Sequence, residues 1–150
     1  MLATLATAVI GGVPSILHFP TCAEALAGGL PISSGTYNFD TLSATPSGMT
    51  ASGLPPYVSN APDTACQDFN GMPEVLNSDV FFEFVPPQSG FFIFSTCDSA
   101  SYDTKLALYD QGCGMALSCN DDSPSCTGFS SVMTVSGLIA GNSYALQIGG

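Results

Sequence analysis

The stretch CDSASYDTKLALYDQGCGMALSCNDDSPSC, from Cys97 to Cys126, gathers four of the six cysteines and five of the twelve carboxylates of the chain. Asn120, Asp121 and Asp122 are three consecutive oxygen donors in a turn context, Asp103 precedes a strand that can pass beside them, and Asp98 adds a further carboxylate. A hard divalent cation takes six to eight such oxygens, with carbonyls and water completing the set, so the pattern points to calcium. The spacing is not that of an EF-hand loop, which makes the site an irregular one. The alternative is an Asx turn, in which these side chains bond their own backbone. Against it, two adjacent carboxylates with no cation within sequence reach repel one another, and a bound ion relieves that cost.

Other chemistries find little footing. The only histidine, His18, lies in the apolar-flanked run Leu17-His18-Phe19-Pro20 and has no evident partner for nucleophilic catalysis, so it reads as a packed or edge-strand residue. Glu24, Glu74, Glu83 and the aspartates supply carboxylates, but nothing singles out a pair for glycoside hydrolysis, and the chain has no tryptophan to serve as a sugar platform. No Gly-rich loop leads from a strand into a helix to cradle phosphate. The chain is therefore expected not to be an enzyme.

Composition narrows the partners. A single basic side chain, Lys105, stands against twelve carboxylates, giving a formal charge of −11 that repels nucleic acid and anionic lipid and favours cations. Cys22, Cys66, Cys97, Cys113, Cys119 and Cys126 form an even set without Cys-x-x-Cys spacing, which reads as disulfides rather than a zinc ribbon. An oxidised, extracellular setting, secreted or at the cell surface, is the expectation. The apolar run at the amino terminus is broken by Gly11, Gly12 and Pro14, well short of a membrane span. It also lacks the positive residue of a signal peptide, and cleavage after Ala27 would remove Cys22, so it is taken as part of the ordered protein.

Helical periodicity is confined to residues 21–27, where Thr21 can cap and Gly28 with Gly29 can stop a short helix. Elsewhere short β-branched and aromatic runs alternate with Gly, Pro, Asn, Asp and Ser, predicting strands over 35–42, 79–85, 91–96, 105–109, 115–118, 131–135 and 143–148. The predicted class is all-β, an antiparallel, jelly-roll-like β-sandwich stabilised by disulfides. It spans residues 22–150, after an apolar extension over 1–21. The proline-rich stretch between Ala44 and Leu76 reads as a long loop or loosely paired edge, its freedom limited by a disulfide through Cys66. The firmest pair is DVFFEFV with FFIFST, joined across Pro86-Pro87-Gln88-Ser89-Gly90. Val80, Phe82 and Phe84 face one way, Phe92 and Phe94 join them, and Leu106, Leu108, Tyr144, Leu146 and Ile148 extend the same inward layer.

The arrangement DVFFEFVPPQSGFFIFSTCDSASYDTKLALYD, followed by SCNDDSPSC and GLIAGNSYALQIGG, resembles the bacterial pre-peptidase C-terminal domain family, and TCAEALAGGLPISSGTYNFDT resembles the opening of such modules. The resemblance covers residues 22–150. It implies a small β-sandwich, usually a non-catalytic appendage of a secreted peptidase or a repeated cell-surface unit, with roles in substrate binding, adhesion or folding assistance. Carried onto this chain, it implies a Cys22–Cys66 bridge and places Asp103, Asn120, Asp121 and Asp122 where some relatives bind calcium. For the remaining four cysteines three pairings are open, and Cys97–Cys126 with Cys113–Cys119 is the one preferred.

Two departures from the family pattern bear on assembly. Relatives follow the Tyr-x-Leu-x-Ile-Gly-Gly strand with one more strand, whereas this sequence stops at Gly150. At the other end Leu2, Ala3, Thr4, Leu5, Ala6, Thr7, Ala8, Val9 and Ile10 suit an extra extended strand. Together these suggest donor-strand complementation, in which this segment of one copy completes the sandwich of the next and builds a head-to-tail fibre. The alternative is that the segment folds back into its own sandwich. The expected function is thus structural or adhesive, with other copies of itself or a cell-surface or polymer ligand as partner. The competing reading is a substrate-binding or accessory module of a larger secreted peptidase or hydrolase.

Overall fold

The computed structural model describes residues 2–5, 19–28, 31–37, 39, 41, 44–49, 76–98, 100–114 and 116–150. His18, Cys66 and residues 6–10 of the amino-terminal segment lie outside the described residues, as does most of the proline-rich stretch. The fold is all-β and mostly antiparallel, as predicted. In chain order it comprises β1 (Leu2–Leu5), α1 (Cys22–Ala27), β2 (Thr36–Tyr37), β3 (Val80–Phe84), β4 (Gly90–Ser95), β5 (Lys105–Tyr109), β6 (Ala116–Asn120), β7 (Val132–Leu138) and β8 (Tyr144–Gly149). One four-stranded sheet has the order β2-β1-β4-β7 and the other β3-β8-β5-β6.

Alternation along the strands builds the core. Val80, Phe82 and Phe84 of β3, Leu106 and Leu108 of β5, and Tyr144, Leu146 and Ile148 of β8 share one apolar cluster with Phe92 and Phe94 of β4 and Met133, Val135 and Leu138 of β7. Phe84 meets Phe92 and Phe94 edge-on, with ring centroids 5.2 and 5.0 Å apart. Each buried phenylalanine contributes on the order of 1.5–3 kcal/mol through area removed from water. The two phenylalanine-rich strands are not neighbours in one sheet, however. β3 belongs to one sheet and β4 to the other, so their rings meet across the core. Pro86 and Pro87, with no amide hydrogens for a ladder, end β3. Gly90 re-enters strand at φ 146°, in the region open to glycine alone.

The sheet containing β3 is buried on both faces, so β3 and β8 lack the half-exposed pattern of an outer wall. Its second face carries Phe81, Ala107, Tyr109 and Ala145, which pack with Cys22 and Ala25 of α1 and with Ala116 and Cys119. A six-residue helix cannot stand alone in water. Here the Thr21 side chain accepts from the Glu24 N–H, and Cys22 is bonded to Cys113 in the β5–β6 turn.

That bridge corrects the expected pairing. Cys22 joins Cys113, not Cys66, and Cys113 is therefore not joined to Cys119. Cys119 is also disulfide-bonded. Cys97–Cys126 is present. The reason is topological: α1 lies on the outer face of that sheet against β3 and β8, and from there Cys22 reaches Cys113 in the β5–β6 turn, a proximity created only by the folded chain.

β1 changes the reading of the amino terminus. It lies between β2 and β4 and runs parallel to both, with Leu2 opposite Ile93, Thr4 opposite Ser95 and Thr36, and Leu5 opposite Tyr37. Leu2–Leu5 is thus paired on both sides within its own chain's sheet. It pairs with the edge of β4 opposite β7, where a row of backbone groups would otherwise stand without a ladder partner.

Candidate metal centre

The antiparallel β5–β6 pair opposes Leu106 to Asn120, so the residues just before β5 and just after β6 come to the same end of the sheet. Asp103 sits two positions before Lys105, and Asp121 and Asp122 follow Asn120 directly. Carboxylate oxygens of all three aspartates consequently lie within 4.8 Å of one another. Asp103 and Asp122 are exposed as residues, although the Asp103 carboxyl itself is partly shielded from water, and Asp121 is partly buried.

The loops that carry them are tied down from below. Thr96 Oγ1 and Thr104 Oγ1 share a hydrogen bond of 2.6 Å, and the Ser131 N–H donates to Thr96 Oγ1 at 3.0 Å. The Ser131 hydroxyl donates to the Thr104 carbonyl. This buried hydroxyl knot joins the segments before β5 and β7, and the Cys97–Cys126 bridge closes the same region. Asp103 and the Asp121–Asp122 pair are therefore presented by anchored chain.

Electrostatics leaves the group short of positive charge. Burial first, and then the Asp121 and Asp122 carboxylates, push the Asp103 carboxyl above its ordinary range, while Lys105 pulls the other way. Lys105 Nζ lies 3.1 Å from Asp121 Oδ2. A cation is thus present where sequence spacing suggested none, though one ammonium is outnumbered by three carboxylates. Asp121 Oδ1 is buried and has no hydrogen-bond partner. The donor set is of hard carboxylate oxygens in an irregular array, the kind that hard divalent cations take.

Two of the expected ligands are elsewhere engaged. Asn120 is buried, and its Oδ1 accepts from the Val132 N–H at 2.9 Å, so this amide links β6 to β7. Asp98 is not in the acidic group. It accepts from the hydroxyl of Thr127, the residue after Cys126, beside the Cys97–Cys126 bridge, at a backbone φ of 55° that aspartate tolerates better than most residues. Lys105 is the site residue that spacing arguments missed; its place two residues after Asp103, as the chain's only Lys or Arg, was the available signal.

No family model, curated protein or solved structure matches the chain.

Proposed function

We propose that this chain is a non-catalytic extracellular module, structural or adhesive in role, whose Asp103, Asp121 and Asp122 hold a calcium ion. The observation that carries the reading is the convergence of three carboxylates, one of which, that of Asp121, has a buried and unpartnered Oδ1. An ion there supplies no chemistry beyond fastening the end of β6 to the start of β5. Irregular extracellular calcium sites bind with Kd on the order of 0.1–1 mM, so free calcium at a hundredfold excess over Kd would stabilise the fold by about 2.7 kcal/mol. The test is thermal unfolding of the full chain in chelator and in calcium. Calcium raises Tm, and the double variant Asp121→Ala with Asp122→Ala erases the difference; an identical transition in chelator and calcium rejects the site.

A second reading, assembly by strand exchange, draws on β1. Its parallel pairing between β2 and β4 is made by the amino-terminal strand, and the equivalent strand of a neighbour can make the same bonds. Self-assembly then follows a head-to-tail geometry and gives fibres. Size exclusion and electron microscopy of the full chain and of a variant lacking residues 1–10 decide it: a monomer in both cases rules exchange out.

A further inference from the structure

Among the described residues β6 and β7, one terminal strand from each sheet, run beside one another, and the seam between them is closed at one end. There Asn120 Oδ1 accepts from the Val132 N–H at 2.9 Å, and the Ser118 hydroxyl donates to the Thr134 carbonyl at 3.2 Å. Side chains of β6 thereby take the places that a neighbouring strand's backbone would occupy along β7. Further along β7 the register with β4 skips from Val135 to Leu138 across a bulge, with Gly137 at φ 78°. The seam opens at that point into a groove of about 610 Å³. Leu117 on its β6 side is 42% exposed.

The groove has one charged residue in its lining, a carboxylate. Asp110 stands exposed in its wall, with Oδ1 fixed by the Gly112 N–H at 2.9 Å. Behind Ser143, whose hydroxyl donates to Glu83 Oε1 at 2.6 Å, lies a second carboxylate. The chain's single Lys or Arg, Lys105, is engaged with Asp121, and the whole carries a charge of −11. Another copy of so acidic a chain is a poor occupant.

We propose that this groove receives an extended segment of a different protein, carrying a basic side chain that reaches Asp110 and an apolar one that covers Leu117. The segment's backbone continues along β7 the bonding that Ser118 and Asn120 begin, which is recognition by strand addition. The inference is independent of the cation site, which uses other residues.

The test titrates the full chain with three labelled, end-blocked peptides: Lys-Thr-Val-Thr-Val-Lys, its counterpart with Glu at both ends, and the Lys peptide N-methylated at alternate residues. The Lys peptide binds with Kd on the order of 10–100 μM at low salt, and the other two at least roughly tenfold more weakly. Asp110→Asn weakens the Lys peptide by roughly three- to tenfold, and Leu117→Arg, which sets a cation in the groove, blocks it. Both positions are exposed, so Tm stays near that of the parent. Equal binding of the Lys and Glu peptides overturns the proposal, as does indifference to N-methylation or to both substitutions. It is equally overturned by a dimer that Leu117→Arg dissolves, or by a neutral oligosaccharide that displaces the peptide.

Discussion

Lys105 Nζ lies 3.1 Å from Asp121 Oδ2, which brings the only basic side chain of the protein to the place where its carboxylates crowd together. The ammonium is a built-in counterion. It offsets part of the repulsion among Asp103, Asp121 and Asp122 and competes with any metal ion for the same oxygens.

Replacing Lys105 with Met separates these two roles. In chelator the variant loses about 0.5–1 kcal/mol, the range of partly exposed ion pairs. In calcium it gains more stabilisation than the parent, because no ammonium has to yield. Urea unfolding with and without calcium reads both effects; an unchanged calcium increment shows that Lys105 does not compete for the site.

Asp103 gives the pH dependence its sign. Its carboxyl is held above the ordinary range chiefly by burial and then by Asp121, so the folded protein binds this proton more tightly than the unfolded chain. Between the ordinary carboxylate range and that raised value, Asp103 makes stability fall as pH rises, and above the window the penalty is constant. Asp103→Asn in chelator is therefore more stable than the parent at neutral pH, with the advantage shrinking as the solution is acidified through the window. Calcium abolishes the advantage at neutral pH. Denaturation midpoints of the pair across acidic and neutral pH check both statements.

Much of the fold is legible in the order of residues because it follows local rules. Period-two alternation identifies the inward faces of β3, β5 and β8, and the Thr21 cap marks the helix start. What alternation cannot show is a second buried face. Phe81, Ala107 and Tyr109 read as outward positions, and α1, more than fifty residues before Phe81, helps cover them together with Phe19 and Met49. The same long-range packing sets Cys22 beside Cys113 and places β3 and β4 in different sheets. At the acidic site the three aspartates were visible as a cluster of types. The diversion of Asn120 to Val132 and the arrival of Lys105 depend on register between strands.

The two described disulfides close loops of different length, with sequence separations of 91 for Cys22–Cys113 and 29 for Cys97–Cys126. Chain entropy assigns the first about 4–5 kcal/mol and the second about 3–4 kcal/mol. Serine at both Cys22 and Cys113 therefore destabilises more than serine at both Cys97 and Cys126, and it also loosens α1 from Phe81 and Ala107. Urea midpoints of the two double variants rank them; peptide mapping of the oxidised parent must return a Cys22–Cys113 link.

The last prediction concerns a buried polar chain on the outer face of the β3 sheet. The Tyr109 hydroxyl donates to Gln147 Oε1 at 2.7 Å, Gln147 Nε2 donates to Asp79 Oδ2, and the Ser47 N–H donates to Asp79 Oδ1 at 2.7 Å. Tyr109, Gln147 and Asp79 are all buried, so each loss leaves a desolvated partner behind. Tyr109→Phe costs about 1–3 kcal/mol by stripping Gln147 Oε1 of its donor, and Asp79→Ala costs more because Ser47 and Gln147 both lose their acceptor. Since the two sites communicate through one amide, the double variant loses less than the two single losses combined. Burial, and secondarily the Asp79 charge, push the Tyr109 hydroxyl above its ordinary value near 10, so its contribution persists below that value and fades as pH rises through the raised one. Parent and Tyr109→Phe thus converge in stability only in strong alkali; convergence already below pH ~10 would show that the hydroxyl is not held in this chain.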